Sequence, residues 1–456
     1  MEREVTLTEM LDAREHRAMR QQELLAAYSR VLVSFTMNIA GPIKKNENIA
    51  YGYRVGKMRL DESFLIEGIS VVHFEEILSH TGDEAIYVVE GSPEVIKRIT
   101  VEIEDRDAIG RLFDMDVIRI NGKKVEREEL GLPGRHCLIC ERPAKECARS
   151  RTHSVDELQK CTREILVKDE INDIAEKGSE LACRALLYEV CTTPKPGLVD
   201  RMNNGSHKDM DIFTFINSTC ALKSYFASCI RTGRETRKQS EKETFKKIRI
   251  LGKRAEKTMF SATGGVNTHK GAIFSMGIIC GALGRLERES LYDPEAILAV
   301  CAGMTEGIIE EDFGEVTADN AVTNGQKIYL SHGIKGVRGQ AEAGFPAVLK
   351  VGLPVLEQGI AEGRNINDAG CAALLALMTA ETDTNLIARS SIKVQKETVA
   401  AVTALLEHEP YPKEKTLREL DALFIEKNLS PGGSADLLAI CYFLHFIKEE
   451  FLCHNI

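Results

Sequence analysis

Residues 111–125, RLFDMDVIRINGKKV, decide how the front of the chain is read. Their alternation predicts a strand that turns Asp114 and Asp116 to one face, together with Leu112, Ile118 and Ile120. The Asn121-Gly122 pair that follows is the strongest short signal for a hairpin turn. Outward from it, EAIYVVEG (84–91), SFLIEGISVVHF (63–74) and VLVSFTMNIAGPIK (31–44) read as further short strands, the last closed by a Gly41-Pro42 turn. Residues 7–32 carry a helix-like period instead, with Arg14, Arg17, Arg20 and Gln21 on the polar side. The front is therefore expected to be an α+β domain.

Beyond Asp169 the strand texture disappears. Segments 174–191, 210–232, 244–259, 272–286, 294–310, 348–359, 367–379, 393–406 and 435–452 repeat apolar residues at the helical period, which predicts an all-α C-terminal domain. The polar segment 150–168 reads as a connecting helix. The expected organisation is multidomain, with domains over 1–165 and 166–456.

Composition narrows the function classes. The 456 residues exceed one ordinary domain. With 59 Lys+Arg against 69 Asp+Glu, the net charge of −10 lacks the basic surplus of a duplex-binding protein, so no nucleic-acid partner is expected. The low-polarity stretch 271–284 is too short for a membrane span, and MEREVTLTEMLDAREHR lacks the apolar core of a secretory signal. A cytoplasmic protein with no membrane partner is expected. Thirteen cysteines, an odd number, fit reduced thiols or metal ligands better than a disulfide framework.

Two front clusters carry chemistry. Paired carboxylates on one strand face are unfavourable to bury without a cation, so Asp114 and Asp116 are candidate catalytic residues and Mg²⁺ ligands for nucleotidyl or phosphoryl transfer. The same spacing also suits an exposed strand. RHCLICERPAKECARSRTHS (135–154) gathers Cys137, Cys140, Cys147 and His153, a donor set able to build a tetrahedral Zn²⁺ site, although the spacing matches no standard finger. Arg135 and Arg149, with Arg142 and Arg151, supply guanidinium forks suited to phosphate or to a solvated face.

With LDAREHRAMRQQELL (11–25) and VSFTMNIAGPIK (33–44), FDMDV and the thiol segment resemble holo-citrate lyase synthase over about residues 5–160. The resemblance implies a nucleotidyltransferase-type domain. It would move a phosphoribosyl-dephospho-CoA unit onto a serine of the apo-citrate lyase acyl carrier protein (gamma subunit), with pyrophosphate leaving. It makes Arg14, Arg17, Asn38 and Lys44 candidate phosphate or ribose contacts.

The back half sets polar loops between helices. CTTPKPGLVDRMNNGSHKDMD (191–211) brings together Lys195, Asp200, Arg201, His207, Asp209 and Asp211, a mixture suited to a polyphosphate with Mg²⁺. Asp209 and Asp211 equally suit the positive end of the following helix. SATGGVNTHKGAIF (261–274) sets Asn267, His269 and Lys270 before an apolar helix whose free N–H groups favour phosphate, without Walker A spacing. EEDFGEVT (310–317) offers Asp312 as a further Mg²⁺ ligand, HGIKGVRGQAEAGFP (332–346) offers Arg338, and ETDTNLIARSS (381–391) offers Asp383 and Asn385. In SPGGSADLLA (430–439), Ser434 reads as an N-cap with Asp436 in the first turn. Six such loops are expected to converge on one pocket.

Together they resemble triphosphoribosyl-dephospho-CoA synthase over about residues 170–450, with departures at Gln340, Ala343, Ser390 and Ser391. The resemblance implies that ATP and 3′-dephospho-CoA are joined through the ribose carbon of ATP while adenine leaves. Breaking that glycosidic bond builds positive charge on the ribose, so carboxylates are wanted to stabilise it and to take the hydroxyl proton. Asp200, Asp209, Asp211 and Asp436 are the catalytic candidates. Lys195, Arg201, Lys270 and Arg338 would neutralise the triphosphate, with His207, Asn267, His269, Asp383 and Asn385 as further contacts. The expected whole is a bifunctional transferase that matures citrate lyase. Malonate decarboxylase maturation, or a helical Mg²⁺-dependent hydrolase of ADP-ribose-type bonds fused to a zinc-held carrier-protein adaptor, are the competing readings.

Overall fold

A computed structural model describes residues 3–140, 142–287 and 290–453, and the chain divides into two compact units, Met1–Glu170 and Ile171–Ile456. In the first, strands β1 (Val31–Met37), β2 (Ser70–Ile77), β3 (Glu84–Glu90) and β4 (Phe113–Ile118) form an antiparallel sheet in the order β2-β3-β1-β4. The two central strands are buried almost throughout, which is why VLVSF and AIYVV read as apolar runs rather than alternations. One face packs Val33, Phe35, Tyr87, Phe113 and Met115 under helices Glu47–Ile66 and Pro93–Asp105. On the other, Leu24 and Leu25 of helix Leu7–Tyr28 cover Leu32, Ile86, Val88 and Ile118.

That second face turns polar at one end. Register sets Glu84 opposite Thr36 and Thr36 opposite Asp114, with Ser34 opposite Asp116 in a neighbouring row. Three front expectations change. Residues 63–66 belong to the helix Glu47–Ile66, and β2 begins only after Gly68 turns the chain in a left-handed conformation (φ 66°). The Asn121-Gly122 turn forms, but its return leg is a single bridge between Ile118 and Lys124. Leu112 lies in a 3₁₀ turn, buried in the opposite core, and Ile120 is exposed, so of the three apolar residues only Ile118 shares the face of the Asp pair.

The second unit is helical. The segments read at 150–168 and 174–191 share one helix, Val155–Cys191, whose residues up to Glu170 belong to the first unit. The segment 294–310 breaks at Gly307 (φ 82°) into Pro294–Met304 and Ile308–Phe313. Asn324–His332, Gly336–Glu342, Thr384–Arg389 and Glu414–Glu426 escaped the periodicity, the first three because they are too short to show it. Helices Ile212–Glu235, Lys270–Arg285, Ile366–Ala380 and Gly432–Cys453 carry most of the core. Among the described residues no helix is long and apolar enough to cross a membrane.

Two of these helices touch backbone to backbone. A Cβ added at Gly284 would stand 1.9 Å from the carbonyl oxygen of Ile230, and one at Gly233 would stand 2.1 Å from that of Gly281. The approach fixes helix Lys270–Arg285, whose first residues enter the site described next. Gly284→Ala gains roughly 1 kcal/mol of helix propensity, yet it forces the two backbones apart. It is expected to destabilise the chain by roughly 1–3 kcal/mol in denaturant titration.

Candidate functional site

At the polar end of the front sheet, Asp114 is exposed on β4 with Arg135 Nη1 at 3.7 Å from its Oδ1, and Asp116 is paired with Lys124. Arg17 reaches Glu84 at 3.4 Å, and burial pushes that carboxyl up against the pull of Arg17. Gln21 donates to Ser34 Oγ at 3.0 Å. Lys44 donates to the Ile39 carbonyl, and burial followed by the charge of Arg14 pushes its ammonium down. Basic residues and hard oxygen donors therefore share this end. Asp114 and Asp116, on one face and each beside a cation, fit a Mg²⁺ bound together with phosphate.

Asn38 and Arg135 line a front cavity of about 700 Å³, whose wall also includes Arg111, Cys137, Cys147 and His153. Arg149 is exposed on the short helix Ala144–Arg149, away from that lining. The ligand atoms of Cys137, Cys140, Cys147 and His153 all lie within 4.8 Å of one another. His153 Nε2 is 3.3 Å from Cys140 Sγ, and this hydrogen bond, followed by those from Arg142, brings the Cys140 thiol down to about 6.

In the back unit five of the six loops converge on a cavity of about 560 Å³. Lys195 lies deep in it, 1% exposed, and donates to the carboxylate of Glu189, which burial pushes up. His269 pairs Nδ1 with Ser218 Oγ at 2.7 Å and has no hydrogen-bond partner at Nε2, although it is buried. Burial, then the charge of Lys195, push its imidazole down to about 3, so it is neutral at pH 7. Asp436, half-buried in the cavity wall, accepts from the backbone N–H of Ala272, and burial reinforced by Glu189 and Asp383 pushes its carboxyl well up. Gly271 allows this contact, since a Cβ there would meet Asp436 Oδ2 at 1.9 Å.

His207 contacts Ser430 Oγ at 2.9 Å and Arg389 at 3.1 Å, and burial followed by Arg389 pushes it down to about 4. Asn267, Lys270, Arg338 and Asn385 line the same cavity, Lys270 held 3.2 Å from Glu256, and the exposed Asp209 completes it.

Other candidates hold the structure instead. Asp383 is fully buried: Oδ1 accepts from the N–H groups of Asn385 (2.9 Å) and Leu386 (3.1 Å), Oδ2 from the N–H (2.8 Å) and hydroxyl (3.2 Å) of Ser434. It caps helix Thr384–Arg389 and ties down the helix Gly432–Cys453, inside whose first turn Ser434 lies, so Ser434 is not its N-cap. Asp200 accepts from the N–H groups of Lys195 (2.9 Å), Met202 (2.7 Å) and Asn203 (3.1 Å) and so shapes the loop. Arg201 is exposed and donates to Thr193 and Asn367. As Mg²⁺ ligands Asp211 and Asp312 meet a different geometry. Asp211 N-caps helix Ile212–Glu235 with Thr214. Asp312 sits between Arg249 and Arg338, and its loop reaches the cavity only through Arg338.

Sequence reasoning missed Glu189 and Glu381. Glu381 lines the cavity, accepts from the Gln340 side chain, and is pushed up to about 7, chiefly by burial. The available signals were a lone acid in the apolar run LLYEVC and the acid two residues before Asp383 in ETDTN.

Comparison with known proteins gives this geometry a family. The model described as "CitX: Apo-citrate lyase phosphoribosyl-dephospho-CoA transferase" matches residues 5–169, and "CitG: ATP:dephospho-CoA triphosphoribosyl transferase" matches 175–454. Protein CitXG of Haemophilus influenzae is 36% identical over 97% of this chain and 96% of its own length, and Protein CitXG of Leuconostoc mesenteroides subsp. cremoris is 35% identical over 96% and 97%. The 2-(5''-triphosphoribosyl)-3'-dephosphocoenzyme-A synthase of Haemophilus ducreyi is 39% identical over 67% of this chain and 98% of its own. The chain belongs to the fused CitXG family of transferases, a CitX module followed by a CitG module.

Proposed function

We propose that this chain makes and attaches the prosthetic group of citrate lyase. The back unit joins ATP to 3′-dephospho-CoA, giving 2′-(5″-triphosphoribosyl)-3′-dephospho-CoA and adenine. The front unit then transfers phosphoribosyl-dephospho-CoA to a serine of the apo acyl carrier protein, with pyrophosphate leaving. One observation carries the reading: the back cavity sets a neutral imidazole and carboxyls with raised pKa values beside Lys195, Lys270 and Arg338. A triphosphate needs such cations, and glycosyl transfer needs two carboxyl groups in different protonation states.

In the back step the ribose C1–N9 bond breaks and its electron pair stays with adenine, which takes a proton from Asp436, whose carboxyl is pushed well up by burial and by Glu189 and Asp383. The 2′-hydroxyl oxygen of dephospho-CoA bonds to C1 and gives its proton to Glu381. Lys195, Lys270 and Arg338 hold the triphosphate, and His269 Nε2, neutral and unpartnered within the protein, is free to share a hydrogen bond with substrate. Bound Mg²⁺ would offset triphosphate charge, with Asp209 as the remaining protein ligand among the back carboxylates first considered. In the front step, of nucleotidyltransferase type, the carrier serine oxygen bonds to the phosphorus next to the ribose, the P–O bond to pyrophosphate breaks with its electron pair leaving on the pyrophosphate, and the serine proton leaves with it. Asp114 and Asp116 would hold Mg²⁺ there, and Arg14, Arg17, Lys44 and Arg135 are placed to take the phosphates. A structural Zn²⁺ in the thiol cluster would serve the fold of the front unit rather than either transfer.

With ATP, Mg²⁺, 3′-dephospho-CoA and apo carrier protein, intact mass should show the carrier gaining one phosphoribosyl-dephospho-CoA unit. Asp114→Asn is expected to leave the carrier unloaded while the triphosphoribosyl precursor accumulates. Asp436→Asn should lower adenine release by about 100-fold or more, and an unaffected rate would remove Asp436 from the chemistry. As the base, Glu381 acts in its carboxylate form. Adenine release should then rise as pH passes through about 7, and Glu381→Gln should abolish that limb.

A further inference from the structure

We infer that Cys137, Cys140, Cys147 and His153 bind one Zn²⁺ as a closed structural site in the front unit. The Sγ atoms of Cys140 and Cys147 are 3.9 Å apart, His153 Nε2 is 3.3 Å from Cys140 Sγ, and no ligand atom of the four is more than 4.8 Å from another. A tetrahedron with Zn–S near 2.3 Å and Zn–N near 2.0 Å has corners roughly 3.5–3.8 Å apart, so small side-chain movements close it. Among the described residues no other group of three or more such side chains is gathered this tightly.

The backbone builds the cluster deliberately. Cys137 N–H donates to the Arg142 carbonyl and Ala144 N–H to the Arg135 carbonyl, both at 2.8 Å, and His136 bridges Pro143. That tight return presents Cys137 and Cys140 from one turn. Cys147 follows on the helix Ala144–Arg149, after which Arg151 adopts a left-handed conformation (φ 47°) and Thr152 N–H returns to the Cys147 carbonyl at 3.2 Å. His153 is thereby brought back over the thiols. A disulfide would use two of these sulfurs at about 2.05 Å and leave a thiol and an imidazole unexplained, whereas zinc uses all four.

Four protein ligands leave no open position, so the role is to hold the segment rather than to activate water. The segment has little apolar material of its own, chiefly Cys137, Cys147 and a partly buried Leu138, and metal binding supplies folding energy that such a segment lacks. What it positions is functional in kind. Arg135, at its base, donates to the Phe113 carbonyl and faces Asp114, while Arg111 donates to the carbonyls of His136 and Cys137. Zinc would therefore fix one wall of the front cavity.

Metal analysis of the full chain tests this. After reduction, loading with Zn²⁺ and desalting, wild type should retain about one zinc per chain, and so should Cys161→Ser, a nearby thiol outside the set. The pair Cys140→Ser with His153→Ala should retain less than about a tenth of that. Co²⁺ in place of zinc should give the intense bands of tetrahedral thiolate cobalt in wild type, a readout that does not depend on the variants folding. Wild type that retains no zinc and shows no such bands, or a paired variant that retains zinc at the wild-type level, would overturn the site.

Discussion

Asp383 is a carboxylate taken wholly out of water and satisfied by four hydrogen bonds from two separate segments, and the back cavity depends on it. Desolvating a carboxylate without partners is prohibitive, so the two segments must come together for either to fold. When they do, Glu381 enters on one side of Asp383 and Asn385 on the other, while Asp436 follows two residues after Ser434. A residue expected as a substrate contact lines the cavity and is at the same time a fastening between loops. Its effect on chemistry runs through the charges it holds in place.

The same cost of burial governs the chemistry. Glu189 and Asp383 are buried, Lys195 pairs with Glu189, and Asp436 lies close enough to both acids for their charges to add to its burial. Three carboxylates cannot all keep a full charge there, and the raised carboxyls are the physical outcome. A carboxyl pushed well up beside one pushed up to about 7 suits the acid and base roles proposed for Asp436 and Glu381. The front unit solves a different problem: its carboxylates remain near solvent on a strand face, Asp116 paired with Lys124 and Asp114 near an Arg135 that it shares with Glu104, an arrangement suited to a phosphate-bound metal.

How much of this was legible in the sequence follows from the range of each interaction. The central strands were readable as short apolar runs because both of their faces are buried, and most back-half helices by the period that one buried face imposes, whereas Glu47–Ile66 and Glu414–Glu426 were not. Short helices such as Thr384–Arg389 were not, because a six-residue element shows less than two turns of that period. Convergence of the loops was legible from their polar, glycine-punctuated character, but roles within them were not. Asp211 as an N-cap lay within local reach, since its partner Thr214 is three residues away. The hold of Asp383 on Ser434, the clamp of Arg249 and Arg338 on Asp312, and the meeting of Glu381 with Gln340 join residues 26 to 63 positions apart. Only the folded chain brings those together. The thiol cluster is the opposite case, because all four of its members lie within 17 residues (137 to 153).

The central claim is that the back cavity transfers the ribosyl of ATP to a nucleotide hydroxyl rather than to water. Chromatography of the chain with ATP and Mg²⁺, with and without 3′-dephospho-CoA, tests it most directly. Adenine is expected only when 3′-dephospho-CoA is present, matched mole for mole by an adduct carrying the triphosphoribosyl group. Adenine and free ribose triphosphate formed at the same rate without the acceptor would contradict it.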